Sequence, residues 1–115
     1  MLGLIPNQHL ILLLILKGVK SINLDVVFDL QLNALKLVRN RIDLWACGET
    51  VARWTLKQNN VNPNDYETVH VLQQGSNYFA FNLATDDQII NKLQKALDEL
   101  KADGTHEKIL NRYLN

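Results

Sequence analysis

Short apolar segments alternate with longer segments of helical periodicity along this chain, and no other feature constrains its fold as strongly. The apolar segments predict strands at 2–5, 24–28, 42–47, 67–72 and 78–83. The intervening segments predict helices at about 8–17, over about ten residues around Leu35, and at about 49–58. Strands that alternate with such helices imply right-handed crossovers and a mainly parallel sheet. The sequence therefore predicts a three-layer α/β/α fold.

Size and charge narrow the class of protein. A chain of 115 residues that is 47% hydrophobic can bury roughly two thirds of its unfolded surface in a single α/β domain. Twelve basic and twelve acidic residues give no net charge, and no cluster of Lys or Arg interleaves with aromatic residues. Nucleic acid is therefore not an expected partner.

The run from Leu10 to Leu16 is apolar at all seven positions. Seven residues fall far short of the roughly 20 that span a bilayer. No basic residue precedes the run and no small-residue cleavage site follows it, so the chain as written carries no recognisable export signal. The sequence alone leaves the localisation open.

A helix that lies on a sheet needs only one apolar stripe, whereas this helix is apolar on every side. Its outer face must then be covered by the C-terminal helices or by another subunit, and we expect a homo-oligomer. The open alternative is a buried strand over the same residues, because periodicity does not separate the two for a short apolar run.

The last third of the chain predicts two further helices. Thr85 can cap the first, with Gln88 as its capping-box partner, and Gly104 can end it with a positive φ. Thr105 can cap the second helix. One apolar stripe is expected on the first helix, formed by Ile90, Leu93, Leu97 and Leu100.

This ending resembles the C-terminus of bacterial solute-binding proteins of the polar amino-acid uptake family, which serve ABC importers. The residues that carry the resemblance are Tyr78-Phe79-Ala80-Phe81, Leu97-Asp98-Glu99-Leu100-Lys101, Asp103-Gly104-Thr105, Ile109 and Arg112-Tyr113. Upstream, Arg41-Ile42-Asp43-Leu44-Trp45-Ala46 looks like the family strand that leads into the ligand cleft. Leu2-Gly3-Leu4-Ile5-Pro6 resembles the opening strand of the family's second lobe.

The resemblance covers almost the whole chain but only about half of a family member. It implies part of a type II periplasmic binding protein fold, with a lobe-2-like domain over 1–77 and a hinge strand with C-terminal helices over 78–115. The family acts in the periplasm with an ABC permease as partner. Because the first lobe that the last helices would cover is missing, we expect a homodimer in which 78–115 is exchanged between copies.

The candidate ligand-binding residues follow two predicted strands, because open α/β sheets bind small molecules beyond the carboxyl ends of their strands. At the loop Pro6-Asn7-Gln8, a helix N-terminus can receive a carboxylate. After the strand that contains Trp45, the run Cys47-Gly48-Glu49 offers Glu49 to an ammonium group. The candidate residues are Asn7, Gln8, Trp45, Cys47, Gly48 and Glu49.

The family resemblance assigns the first loop to the carboxylate and the second to the amino group of a small polar amino acid. The match is imperfect, since Asn7-Gln8 stands where many members have Gly followed by Ser or Thr. Gly48 stands where the acidic residue is usual, and Glu49 comes one position late. Glu49 can equally stabilise a helix N-terminus, and Cys47 fits a small buried apolar residue. With half of the clamp missing, we expect affinity no better than millimolar.

No catalytic, nucleotide-binding or metal-binding motif is present, and His9, His70 and His106 are far apart in sequence. We therefore expect a non-enzymatic protein without metal or cofactor. Two alternatives stay open. One is an oligomeric interaction module with no small-molecule role; the other is an enzyme that uses Glu49 or His70 as general base.

Overall fold

The computed structural model describes the backbone of residues 1–115, and the side chains of all of them except Gln8 and His9. The chain forms two compact units, Met1–Tyr66 and Glu67–Asn115. The sequence had placed the boundary later, between residues 77 and 78.

Three short parallel strands form the sheet of the first unit. They are β1 (Leu2–Leu4), β2 (Leu24–Val26) and β3 (Leu44–Trp45), and their order across the sheet is β2-β1-β3. The predicted α/β class with a parallel sheet is confirmed at this level. The strands are shorter than the apolar segments that predicted them.

Three helices connect and follow the strands: α1 (Gln8–Leu16), α2 (Leu30–Val38) and α3 (Glu49–Gln58). Side chains fix where two of them begin, because Asn7 accepts a hydrogen bond from the N–H of Leu10 at 3.1 Å and Asp29 accepts one from the N–H of Gln31 at 2.8 Å. The run from Leu10 to Leu16 is a helix, so the alternative of a buried strand there is wrong. Gly18 ends this segment with a φ of +93°.

The face of the sheet that carries Gly3 is covered by α2. In a parallel ladder, paired residues point to the same side, and Gly3 pairs with both Asp25 and Trp45. Lys36 of α2 reaches this face, where its Nζ lies 2.7 Å from Asp25 Oδ2. This side of the sheet therefore carries polar groups in a partly buried setting.

The same face holds the one fully buried polar residue among the described side chains. Asn33 is 0% exposed and lies over Gly3, and neither its amide nitrogen nor its amide oxygen has a hydrogen-bond partner among the described residues. A buried amide left unpaired costs about 1–3 kcal/mol. The burial of apolar side chains elsewhere in the unit must offset this cost; the buried apolar residues are Leu4, Leu14, Ala34, Ile42, Ala46 and Leu56.

The second unit contains two helices, α4 (Asp87–Ala102) and α5 (Thr105–Leu114), which contact each other. Gly104 adopts the expected positive φ, at +76°. The predicted caps are each displaced by one residue. Asp86 begins α4 in place of Thr85, since its carboxylate accepts from the N–H of Gln88 at 2.8 Å, and Thr105 is the first residue of α5, not its cap.

The strands predicted at 67–72 and 78–83 are not formed, and this prediction is wrong. No backbone-to-backbone hydrogen bond involves any residue from Glu67 to Phe81. The β-branched and aromatic residues of this segment favour extended backbone, but a strand exists only where a neighbouring strand supplies hydrogen-bond partners. Large apolar side chains are left exposed, among them Tyr78 at 87% and Phe79 at 71%.

Among the residues that the structure describes, no helix combines the length and the apolar character that a membrane crossing requires.

The close contact over Gly3 predicts that Gly3→Ala destabilises the fold. The added Cβ would lie 2.5 Å from Ile42 Cδ1 and 2.8 Å from Asn33 Oδ1, so the core must shift. We expect a loss of about 1–3 kcal/mol in the free energy of unfolding, measured by urea denaturation. Gly75→Ala is the matched control, because nothing lies within 4 Å of the added Cβ and the change should stay within about 0.5 kcal/mol. Equal stability of the two variants would contradict this packing.

Candidate functional site: the loops after β1 and β3

The two loops that carry the candidate residues leave the sheet side by side. β1 and β3 are parallel neighbours, with Leu2 opposite Leu44 and Gly3 opposite Trp45. The N–H of Ala46 donates to the carbonyl oxygen of Gly3 at 2.9 Å, which extends this pairing to the ends of both strands. Residues 5–7 and 46–48 therefore emerge at the same edge of the sheet.

The strand order makes this edge a topological switch point. From β1 the chain moves to β2 on one side, and from β2 it crosses to β3 on the other side of β1. In open α/β sheets, the loops on either side of such a reversal lead away from each other and leave a crevice in which ligands bind. The strand order thus brings the two predicted sites together.

Asn7 lies in the first loop and is the N-cap of α1. Its backbone is extended, with a φ of −133°, and its side-chain oxygen accepts the hydrogen bond that starts α1. The exposed side chain of Asn7 thereby satisfies one of the free N–H groups at this helix end. Gln8 is the first residue of α1, and its side chain lies outside what the structure describes.

The second loop begins a helix without such a side chain. Gly48 stands at the cap position of α3 and offers no side-chain oxygen to the first-turn N–H groups. Glu49 is the first residue of α3 and is exposed, so its carboxylate lies at the positive end of the helix dipole. This end of α3 combines uncapped N–H donors with one acidic side chain.

Trp45 and Cys47 lie partly beneath the surface of the same edge. Trp45 points to the face that α2 covers, and its indole Nε1 is buried with no hydrogen-bond partner in the part of the chain that the structure describes. Burial raises the pKa of the Cys47 thiol from 9.0 to about 12, so the thiol stays protonated at neutral pH. Neither side chain has the properties of a nucleophile or a general base.

A concave surface lies elsewhere in the first unit, between the start of α2 and the last turns of α3. It is a groove of about 370 Å³. The hydrogen bond from Gln31 Nε2 to Asn59 Oδ1, at 2.9 Å, joins the two helices beside it. Its lining consists of Asp29, Leu30, Gln31, Trp54, Thr55, Gln58 and Asn59. None of these residues is a candidate site residue from the sequence, although Trp54 among polar neighbours is a usable signal.

No group of three or more His, Cys, Asp or Glu residues with the arrangement of a metal site occurs among the described residues. His70 lies in the unpaired segment and His106 in the first turn of α5. The side chain of His9 is outside the described set.

No known protein-family model matches the chain, and neither the curated proteins nor the solved structures contain a significant match. The resemblance to amino-acid solute-binding proteins therefore rests on the residues quoted above.

The raised pKa of Cys47 predicts slow alkylation of the folded protein. At pH 8 we expect iodoacetamide to react at least about 100-fold more slowly than with the same chain in guanidinium chloride, because only the thiolate reacts. The rate for the folded protein should still rise as the pH approaches 12, whereas the unfolded chain should level off above pH 9.0.

The same shift has a consequence for stability. The folded pKa is raised, so the contribution of the buried thiol to the free energy of unfolding is fully present below pH 9.0 and is lost as the pH rises towards 12.

Since Cys47 is the one cysteine of the chain, the product of the alkylation experiment reports this site alone. A folded-state rate that levels off near pH 9 would show that the thiol is solvated.

Proposed function

We propose that this chain is a non-enzymatic domain that binds a small polar amino acid weakly, in the crevice between the loops after β1 and β3. The observation that carries the proposal is the strand order β2-β1-β3, which makes the edge shared by those loops a switch point. The finer form of the fold that we propose is part of a type II periplasmic binding protein. Right-handed crossovers would then put α1 on the face opposite α2 and complete three layers.

The N-termini of α1 and α3 together offer groups for both charges of an amino acid. The N–H groups of the first turn of α1 and the uncapped N–H groups of α3 favour a carboxylate, because a helix N-terminus carries partial positive charge. Glu49 would accept a charge-assisted hydrogen bond from the α-ammonium group. An amino acid presents both charges close together, which suits an edge that offers donors and one carboxylate.

Weak affinity follows from exposure. Asn7, Gly48 and Glu49 are all exposed, so their polar contacts with a ligand are made in a high dielectric. We expect dissociation constants in the millimolar range. By the resemblance to uptake proteins, the natural setting of such a domain is amino-acid import, with an ABC permease as partner and no role for nucleic acid.

Amide shifts in ¹⁵N NMR spectra test the site directly. Titration with L-glutamine, L-glutamate and L-arginine should shift the backbone amides of residues 7–10 and 47–50 saturably for at least one of the three. Glu49→Gln should weaken that binding about threefold, because an exposed ion pair contributes little. Glu107→Gln, an acidic residue in the first turn of α5, is the matched control and should have no effect.

If no amino acid produces saturable shifts at these amides, the proposed function is wrong. The same conclusion follows if Glu107→Gln weakens binding as much as Glu49→Gln does.

A specific observation favours a second candidate, an oligomeric interaction module with no small-molecule role. Residues 67–81 have no backbone-to-backbone hydrogen bond, and neither α4 nor α5 contains a fully buried residue. On α1, Leu16 is 76% exposed. A homodimer in which residues 78–115 are exchanged between copies would provide partners for such groups.

If the protein forms this dimer, its mass in solution should be near twice the 13.2 kDa of the chain. Light scattering over a dilution series measures this mass. Phe79→Lys should shift the protein towards the monomer, because it puts a charge at a position that the dimer buries. Lys92→Gln on the polar side of α4 is a control that should leave the mass unchanged. A monomer at every concentration would exclude the module.

A further inference from the structure

The groove between α2 and α3 has the size of a small-ligand site and lies apart from the crevice of the proposed function. Its volume of about 370 Å³ falls within the roughly 300–1,000 Å³ typical of ligand pockets. None of the residues that line it belongs to the loops after β1 or β3.

One wall of the groove is aromatic. Trp54 lines it and is 38% exposed, so part of the indole ring is accessible from solvent. The faces of an indole are electron-rich, and they attract groups whose outer atoms carry partial positive charge. The axial C–H groups of a sugar ring form such a surface, and they make weak C–H contacts with an aromatic face.

Apart from Leu30, the other lining residues are polar and include both hydrogen-bond donors and acceptors. Gln31 donates one amide hydrogen to Asn59, which leaves the side-chain oxygen of Gln31 as an acceptor. The side chain of Gln58 makes no hydrogen bond with the described residues. Asp29 uses one carboxylate oxygen to cap α2, so its second oxygen can accept a further hydrogen bond.

We propose that this groove binds a neutral carbohydrate, a mono- or disaccharide whose ring lies against Trp54 and whose hydroxyl groups bond the surrounding amides and carboxylate. A hydroxyl group is both donor and acceptor, and primary amides offer both within one plane, so neighbouring hydroxyls fit them better than a charged group does. Three amides line the groove against a single carboxylate, which already caps a helix, and Trp54 is the one aromatic residue of the lining. This set favours a neutral polyol over a cation, which aromatic cages bind with several rings.

Indole signals in ¹⁵N NMR spectra separate the groove from the rest of the chain, because the protein contains two tryptophans. The 115-residue chain is titrated with methyl β-D-glucopyranoside, D-galactose and cellobiose. At least one sugar should shift the Trp54 indole and the side-chain amides of Gln31 and Gln58 saturably. The Trp45 indole, whose nitrogen is buried under α2, should not move.

Variants assign the binding to the groove. Trp54→Ala should weaken it about tenfold, since it removes the stacking surface. Gln58→Ala should weaken it about threefold, through the loss of one or two exposed hydrogen bonds. Gln58 is exposed, so this variant tests the proposal even if Trp54→Ala fails to fold. Gln94→Ala, an exposed amide on α4, is the matched control and should bind like the unaltered protein.

The absence of a saturable Trp54 shift with all three sugars would overturn the proposal. So would a Trp54 shift with choline and none with sugars, which would make the groove a cation site. Sugar binding that Gln94→Ala weakens as much as Gln58→Ala would also overturn it. Amino-acid binding is detected at the backbone amides of residues 7–10 and 47–50, whereas sugar binding is detected at the Trp54 indole. A negative result at one site therefore leaves the proposal for the other site intact.

Discussion

The hydrogen bonds between β1 and both of its neighbours hold the first unit together. Val27 donates to the carbonyl oxygen of Leu4, and Ala46 donates to that of Gly3, each at 2.9 Å. With only three residues, β1 aligns two further strands and the starts of the helices that follow them. Both loops of the proposed crevice take their positions from this pairing.

A glycine at the centre of β1 determines how close α2 can come. The absence of a side chain at Gly3 leaves room for Ile42 and for the buried amide of Asn33. Asn33 is the costly part of this arrangement, because its amide has no hydrogen-bond partner among the side chains and backbone groups that the structure describes. The protein retains it in a layer that also contains the Asp25–Lys36 ion pair, so the α2 side of the sheet is more polar than a core of this size usually is.

The helices were predictable from residues close together in sequence. For the strands, the parallel pairing was predictable in this way but their order was not. Asn7 and Gly18 bound α1 as their residue types suggest, because caps depend on neighbours in sequence. The order β2-β1-β3 depends on contacts between distant residues, which periodicity does not encode. Segments 67–72 and 78–83 have the composition of strands, yet composition does not supply the neighbouring strand that their backbones require.

The two loops that form the candidate crevice were predictable separately, because each follows an apolar segment that the sequence predicts to be a strand. That they share one edge became evident only from the parallel pairing of β1 with β3. The groove beside Trp54 could not be predicted in this way. It depends on the first turn of α2 lying against the end of α3, two segments about 28 positions apart that the Gln31–Asn59 hydrogen bond joins.

Native-state hydrogen exchange at single amides tests directly whether β1 lies between β2 and β3. We expect the amides of Val27 and Ala46 to be strongly protected, whereas those of residues 67–81, which have no backbone partner, should exchange rapidly. Exchange at Ala46 as fast as in residues 67–81 would mean that β3 does not pair with β1. The two loops would then no longer share an edge, and the crevice proposed between them would not exist.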